Sequence, residues 1–171
     1  MRIDAPVLGT ERLTLRAPEA GDWEPWASFA ASGRAQFIGG PIDREKAWRA
    51  LGHVIGHWVL RGFGSFVFTL RDSQAPLGMA GPWFPEGWPE RELGWTVWQT
   101  GAEGRGYAFE AAQAARTHAF GALGWTTAVS YIDRANARSI ALAERLGAVL
   151  DPDAAKKDAE DLVYRHPAPA Q

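Results

Sequence analysis

Gly104 and Gly106 stand in "EGRG", directly before the alanine-rich run "YAFEAAQAARTHAFGALG". Glycine disfavours a helix interior, so two glycines at a helix start need a reason. One reason is anion binding: a tight turn aims several unpaired N–H groups of the helix N-terminus at one negatively charged group. Three phosphate-binding patterns can be tested against these residues. A Walker loop requires Gly-Lys-Ser/Thr, which is missing. A dinucleotide fingerprint requires a third glycine where Phe109 stands. The pattern Q/R-x-x-G-x-G/A between a strand and a helix fits at Gly106 and Ala108, with Glu103 in the first place instead of Gln or Arg. An ordinary strand-to-helix turn is the plain alternative.

Other chemistry-bearing residues are few. The chain has no cysteine, which removes disulfides, thiolate metal sites and a cysteine nucleophile. His53 and His57 have the spacing of two metal ligands on one helix face. No third ligand accompanies them, so they read as structural, as does His118, and no metal is expected. A net charge of −2 and the lack of a basic run give no reason to expect a nucleic-acid partner. The first residues are broken by charge and proline, unlike a signal peptide. No apolar stretch approaches membrane-spanning length, so no membrane partner is expected and the expected location is cytoplasmic.

The elements that must position these residues follow from periodicity. The length suits one domain over residues 1–171, with a frayed tail from about residue 167. "RLTLR" alternates as a strand over Leu13 to Arg16. A helix follows with Asp22 as N-cap and Trp26, Phe29 and Ala30 on one face. A second helix has Asp43 as cap and Ala47, Leu51, Val54, Ile55 and Trp58 as its apolar stripe, ending at Gly62 and Gly64. Strands are expected at "SFVFTLRD", "LGMAGPWF", "RELGWTVW" and "WTTAVSYI". Helices are expected from about Gly106 to Ala122, with Gly124 left-handed beyond the end, and over "NARSIALAERLG". Two short strands close the chain. The order β-α-α-β-β-β-α-β-α-β-β describes a mixed sheet with helices on its faces.

The run "ELGWTVWQTGAEGRGYAFEAAQAARTHAFGALGWTTAVSYIDRANARSIALAERLGA" resembles the GNAT superfamily of N-acetyltransferases. It is most similar to the branch that contains the ribosomal-protein N-terminal acetyltransferases. Gly94-Trp95, then Gly104-Arg105-Gly106-Tyr107-Ala108-Phe109-Glu110-Ala111, then Asn136, Ser139 and Leu146-Gly147 carry the likeness, together with "TERLTLR" at residues 10–16. The resemblance implies an α/β (α+β) fold with a mixed, mostly antiparallel, splayed sheet. It also implies acetyl-CoA as co-substrate and direct transfer to an amine, either a protein N-terminus or a small molecule. N–H groups from about Glu103 through Gly104, Arg105, Gly106, Tyr107 and Ala108 to Phe109 would then cradle the pyrophosphate. The strand edge Trp95, Thr96, Val97 and Trp98 would pair with the pantetheine arm, with Asn136 and Ser139 beside it.

Family enzymes commonly place a Tyr where Ala143 stands, to return a proton to the thiolate. With that place taken, Ser139 or Tyr131 or water is left to supply it. Glu92 in "RELGW" is the candidate base, sharing a strand face with Gly94 and Thr96. Glu110 is either a site residue or a first-turn carboxylate favoured by the helix dipole. The aromatic loop 82–90 is expected either to border the acceptor, holding an apolar side chain or stacking on a cation, or to be core or a homodimer contact. Glu103, Ala143 and Ala148 depart from the family pattern. They leave open a second reading, a non-catalytic acyl-CoA-binding sensor of the same fold.

Overall fold

The computed structural model describes residues 3–169. Eight strands form one sheet: β1 (Leu8–Gly9), β2 (Leu13–Arg16), β3 (Phe66–Leu70), β4 (Pro76–Trp83), β5 (Glu92–Val97), β6 (Val129–Asp133), β7 (Val149–Leu150) and β8 (Asp161–Arg165). Their spatial order is β1-β2-β3-β4-β5-β6-β8-β7, antiparallel throughout except between β5 and β6. Four α-helices accompany it: α1 (Trp23–Ala30), α2 (Arg44–Arg61), α3 (Tyr107–Gly121) and α4 (Ala137–Arg145). The strands from the sequence reading are present, and β1 is an addition too short to leave a periodic signal. Part of the expected C-terminal tail, residues 170–171, lies outside the described residues.

Alternation along β3 sets up the two layers. Phe66 and Phe68 turn to the α3 side and pack with Leu13, Leu15, Ala111 and Ala115, all fully buried. Val67 turns the other way into a cluster with Trp26, Phe29, Ala47, Leu51 and Trp98 from α1, α2 and the end of β5. Burying each large side chain contributes roughly 1.5–3 kcal/mol. Alanines at 111, 112, 115 and 119 make the inward face of α3, so the helix lies close on the sheet.

Asp43 caps α2 by accepting from the Lys46 N–H, as expected. Asp22 does not cap α1 with its side chain. Fully buried, it takes the two terminal guanidinium nitrogens of Arg16 at 2.8 and 2.9 Å and the Glu19 N–H at 2.8 Å. A bidentate partner with charge outcompetes a capping bond that water could replace.

His166, just after β8, is buried beside Ser130. Ser130 Oγ donates to the Leu93 carbonyl at 2.6 Å, so His166 Nε2–H donates to Ser130 Oγ at 2.8 Å. Its Nδ1 is left to face Arg116. Burial, and secondarily the Arg116 charge, hold the imidazole down to about 4, against an ordinary 6.5. The unfolded chain therefore binds a proton that the fold excludes. His166 contributes its full stability above about pH 6.5 and loses it as pH falls toward 4, about 3 kcal/mol at most. Urea titrations across that window should show a steeper acid-side loss for wild type than for His166→Gln. Parallel profiles would refute the assignment.

Candidate active site

The site begins where the sheet opens. β5 and β6 share a single paired rung, Glu92↔Val129, reinforced by the Val129 N–H on the Arg91 carbonyl and by the Ser130–Leu93 bond. Beyond it the strands diverge. Trp95 stands at the divergence on the α4 side, donating from Nε1 to Ser139 Oγ at 3.1 Å and packing against the cluster that contains Ala143 and Ala148. Ala143 is fully buried there, so the small side chain leaves room for the indole.

A cleft of ≈ 630 Å³ lies between β5, the turn before α3, and α4. Its walls include Trp95, Thr96, Val97, Asn136 and Ser139, with Glu103, Gly104, Gly106, Tyr107, Ala108 and Phe109 at the turn. Arg105 instead faces a neighbouring groove, and its carbonyl is tied to Arg12 Nη1 at 2.9 Å. Trp98 is buried against Trp26, away from the cleft, with its Nε1 on Thr96 Oγ1. Arg34 takes the Val97 and Trp98 carbonyls at 2.8 and 2.7 Å, so the strand edge expected over residues 95–98 is free only at its start.

Gly104 and Gly106 are both left-handed, with φ of +70° and +79°. No side chain caps α3, and its first internal bond runs from the Glu110 N–H to the Gly106 carbonyl. The preceding helix N–H groups therefore have no partner inside the helix and carry the positive end of its dipole. A Cβ on Gly104 would meet nothing within 4 Å, so the turn is open to an approaching group. These features suit a phosphate.

Glu103, which stands where the turn pattern has Gln or Arg, is held by two cations. Arg138 Nη1 reaches its Oε2 at 2.8 Å and Arg34 Nε its Oε1 at 2.7 Å. Arg138 first, and Arg34 with it, hold the carboxyl below its ordinary range. Arg34 and Arg138 thus belong to the site although neither was singled out in the sequence. Arg138 lies two residues past Asn136, whereas Arg34 sits in a 3-10 turn (Gly33–Ile38) with no local signal. Asn136 caps α4 by accepting from the Ser139 N–H, as its position implied. Glu110 accepts from Thr10 Oγ1, the Arg12 N–H and Arg12 Nε at 2.6–2.8 Å, fastening the start of α3 to the segment before β2.

Glu92 lies on the opposite face of β5 from Trp95. Trp88 Nε1 donates to its Oε2 at 2.7 Å. Burial pushes the carboxyl up to about 7, opposed by the Trp88 bond, the Lys157 charge and the Tyr131 main chain, and aided by Asp161. A carboxylate at that value can accept a proton near neutral pH. Tyr131 is on the same face, its Oη accepting from the Glu90 N–H at 3.0 Å, and burial raises it to about 12. The loop 82–90 is anchored within the chain. Trp83 stacks on His57 at 4.3 Å, and Glu90 grips Arg165 with both oxygens. His57 donates from Nδ1 to the Phe63 carbonyl and accepts at Nε2 from the Phe84 N–H, so both ring nitrogens are engaged.

The comparisons with known proteins agree with this geometry. A family model described as an acetyltransferase (GNAT) domain matches residues 12–149. An acetyltransferase from Agrobacterium tumefaciens is 42% identical over 97% of this chain and 96% of that one, with a TM-score of 0.90. A GNAT-family acetyltransferase from Bordetella pertussis is 29% identical over 95% of this chain and 100% of that one, TM-score 0.78. RimL, a ribosomal alpha-N-protein acetyltransferase solved in complex with coenzyme A, shares the fold at 16% identity over 95% and 98% of the two chains, TM-score 0.74. The chain belongs to the GNAT acetyltransferase family. No helix of the described residues is long and apolar enough to cross a membrane.

Proposed function

We propose that this protein transfers an acetyl group from acetyl-coenzyme A directly to an amine, without an acyl-enzyme. The observation that carries the reading is the sheet opened from one rung, Glu92↔Val129, with an uncapped helix N-terminus at one end of the resulting cleft. N–H groups around Gly104 to Phe109 hold the pyrophosphate. The start of the β5 edge, at Trp95 and Thr96, pairs with the amide-bearing arm, and an N–H there polarises the thioester carbonyl. Glu92 removes the proton from the incoming ammonium, after which the nitrogen attacks, the new C–N bond forms, the C–S bond breaks, and the nitrogen's second proton replaces the one that the hydroxyl beside the cleft gives to the departing thiolate. Ser139 is placed to protonate the thiolate: its Oγ accepts from Trp95 Nε1, which leaves its own O–H free to donate. Tyr131 lines the face of Glu92 instead of the cleft and is held strongly protonated, so Ser139 is the better donor.

Thiol release from acetyl-coenzyme A across a panel of amines tests the activity. Coenzyme A binding without thiol release from any amine would favour the sensor reading. Within an active protein, Ser139→Ala should lower kcat by about tenfold or more with little change in KM, while Tyr131→Phe should do less. Equal, full activity in both variants would leave water as the donor.

A further inference from the structure

The loop between β7 and β8 brings Lys157 to the face of β5 that carries Glu92. Its Nζ lies 5.3 Å from the centroid of the Trp88 ring and 3.1 Å from Asp158 Oδ2, and 32% of the side chain is exposed. The same indole donates to Glu92 at 2.7 Å, so one aromatic ring meets the ammonium with its face and the carboxylate with its edge. The charged and titratable groups around Glu92 are Lys157, Asp161 and Tyr131. Lys157 feels Glu92, Asp158 and Asp161 together.

Ordering a lysine side chain gives up rotamer freedom that a surface ion pair with a sequence neighbour does not return in full. The remainder comes from the aromatic face and the surrounding acids, which together form a receptor for an ammonium group on an apolar stem. An acceptor amine arriving as its ammonium needs the same surroundings, because it must deliver its proton to Glu92.

We propose that Lys157 is a tethered occupant of the acceptor-ammonium subsite, and that the acceptors are primary ammonium ions on unbranched alkyl chains, which bind by displacing it. The inference rests on the acetyl-transfer reading above. An alkylammonium reproduces both the three N–H donors and the methylene stem of Lys157; the amine at a peptide N-terminus, flanked by a carbonyl, reproduces only the first. A self-occupied site weakens apparent acceptor affinity in proportion to the fraction of molecules in which it is open.

The test is steady-state thiol release at saturating acetyl-coenzyme A and about pH 8.5, where Glu92 is ionised. Three acceptors are compared: n-pentylamine, an N-terminally blocked lysine peptide and an unblocked peptide without lysine. Lys157→Met should lower KM for pentylamine about three- to tenfold with kcat nearly unchanged, as for a site closed in most molecules. Lys157→Arg, which keeps a cation on a long stem, should stay near the wild-type KM. A matching gain with the lysine peptide identifies protein side chains as an accessible source of the amine; a gain with pentylamine alone restricts it to free amines. An unmoved or raised KM in the Met variant, or a preference for the lysine-free peptide, overturns the proposal while leaving acetyl transfer intact. No thiol release from any acceptor, in wild type or variant, removes the acetyl-transfer reading and this proposal with it.

Discussion

Glu92→Gln is expected to reduce kcat at neutral pH by about 10²–10⁴, the usual range for removal of a general base. The substitution is nearly isosteric and keeps an oxygen for the Trp88 indole N–H, so the fold and the loop 82–90 should stay in place. Coenzyme A affinity should hardly change, because Glu92 lies across β5 from Trp95 and outside the cleft walls. The pH profile is the sharper test. With the carboxyl pushed up to about 7, wild-type kcat should climb with pH through that value as the base ionises. In the Gln variant this limb should vanish, and the residual rate should follow the deprotonation of the free amine at higher pH. An unchanged profile would mean that the amine loses its proton to solvent and that Glu92 has a structural role.

Gly106→Val should abolish most coenzyme A binding, by about 10²-fold or more. Two effects combine. The left-handed φ of +79° is strained for a β-branched residue, so the turn rearranges. The branched side chain also stands at the N-terminus of α3, and a Cβ alone would already come within 3.3 Å of Arg12 Nη2. Losing one or two hydrogen bonds to a charged group, at about 1.5–3 kcal/mol each, accounts for the expected drop. The turn is at the surface, so the protein should remain folded with a melting temperature lowered by about 5 °C. Calorimetry on the folded variant decides: near-normal affinity would remove the turn from the cofactor site.

The glycine pattern was legible because its constraint is local. A left-handed residue before a helix is written in the residue type itself, and both Gly104 and Gly106 adopt that conformation. Asn136 and Asp43 were legible for the same reason, since a cap reaches only three residues ahead. Failures occurred where a partner is distant in sequence or competes with a local role. Asp22 looks like a cap, but Arg16 on the neighbouring strand claims it. Glu103 looked misplaced because Arg34, which holds it along with Arg138, comes 69 residues earlier and from an irregular turn. Trp98 sat on a strand expected to border the cleft, yet the chain turns there and buries it with Trp26. The pairing of Lys157 with Trp88 had no pattern to reveal it, because it joins two loops.

The single rung between β5 and β6 gives this sheet something unusual: edges that face inward. Strand edges at the rim of a protein invite other chains to add on, and proteins spend charge, proline or bulges to discourage it. Here the unpaired stretch lies within the sheet, sheltered by Trp95 and α4, in a slit that tapers to closure at Val129. A neighbouring protein's strand, carrying side chains on both faces, cannot thread into a wedge closed at one end. A slender chain with amides and no side chains can. Under the acetyl-transfer proposal the opening would select its guest by girth, and a feature that is an aggregation hazard at the perimeter would become a filter in the interior.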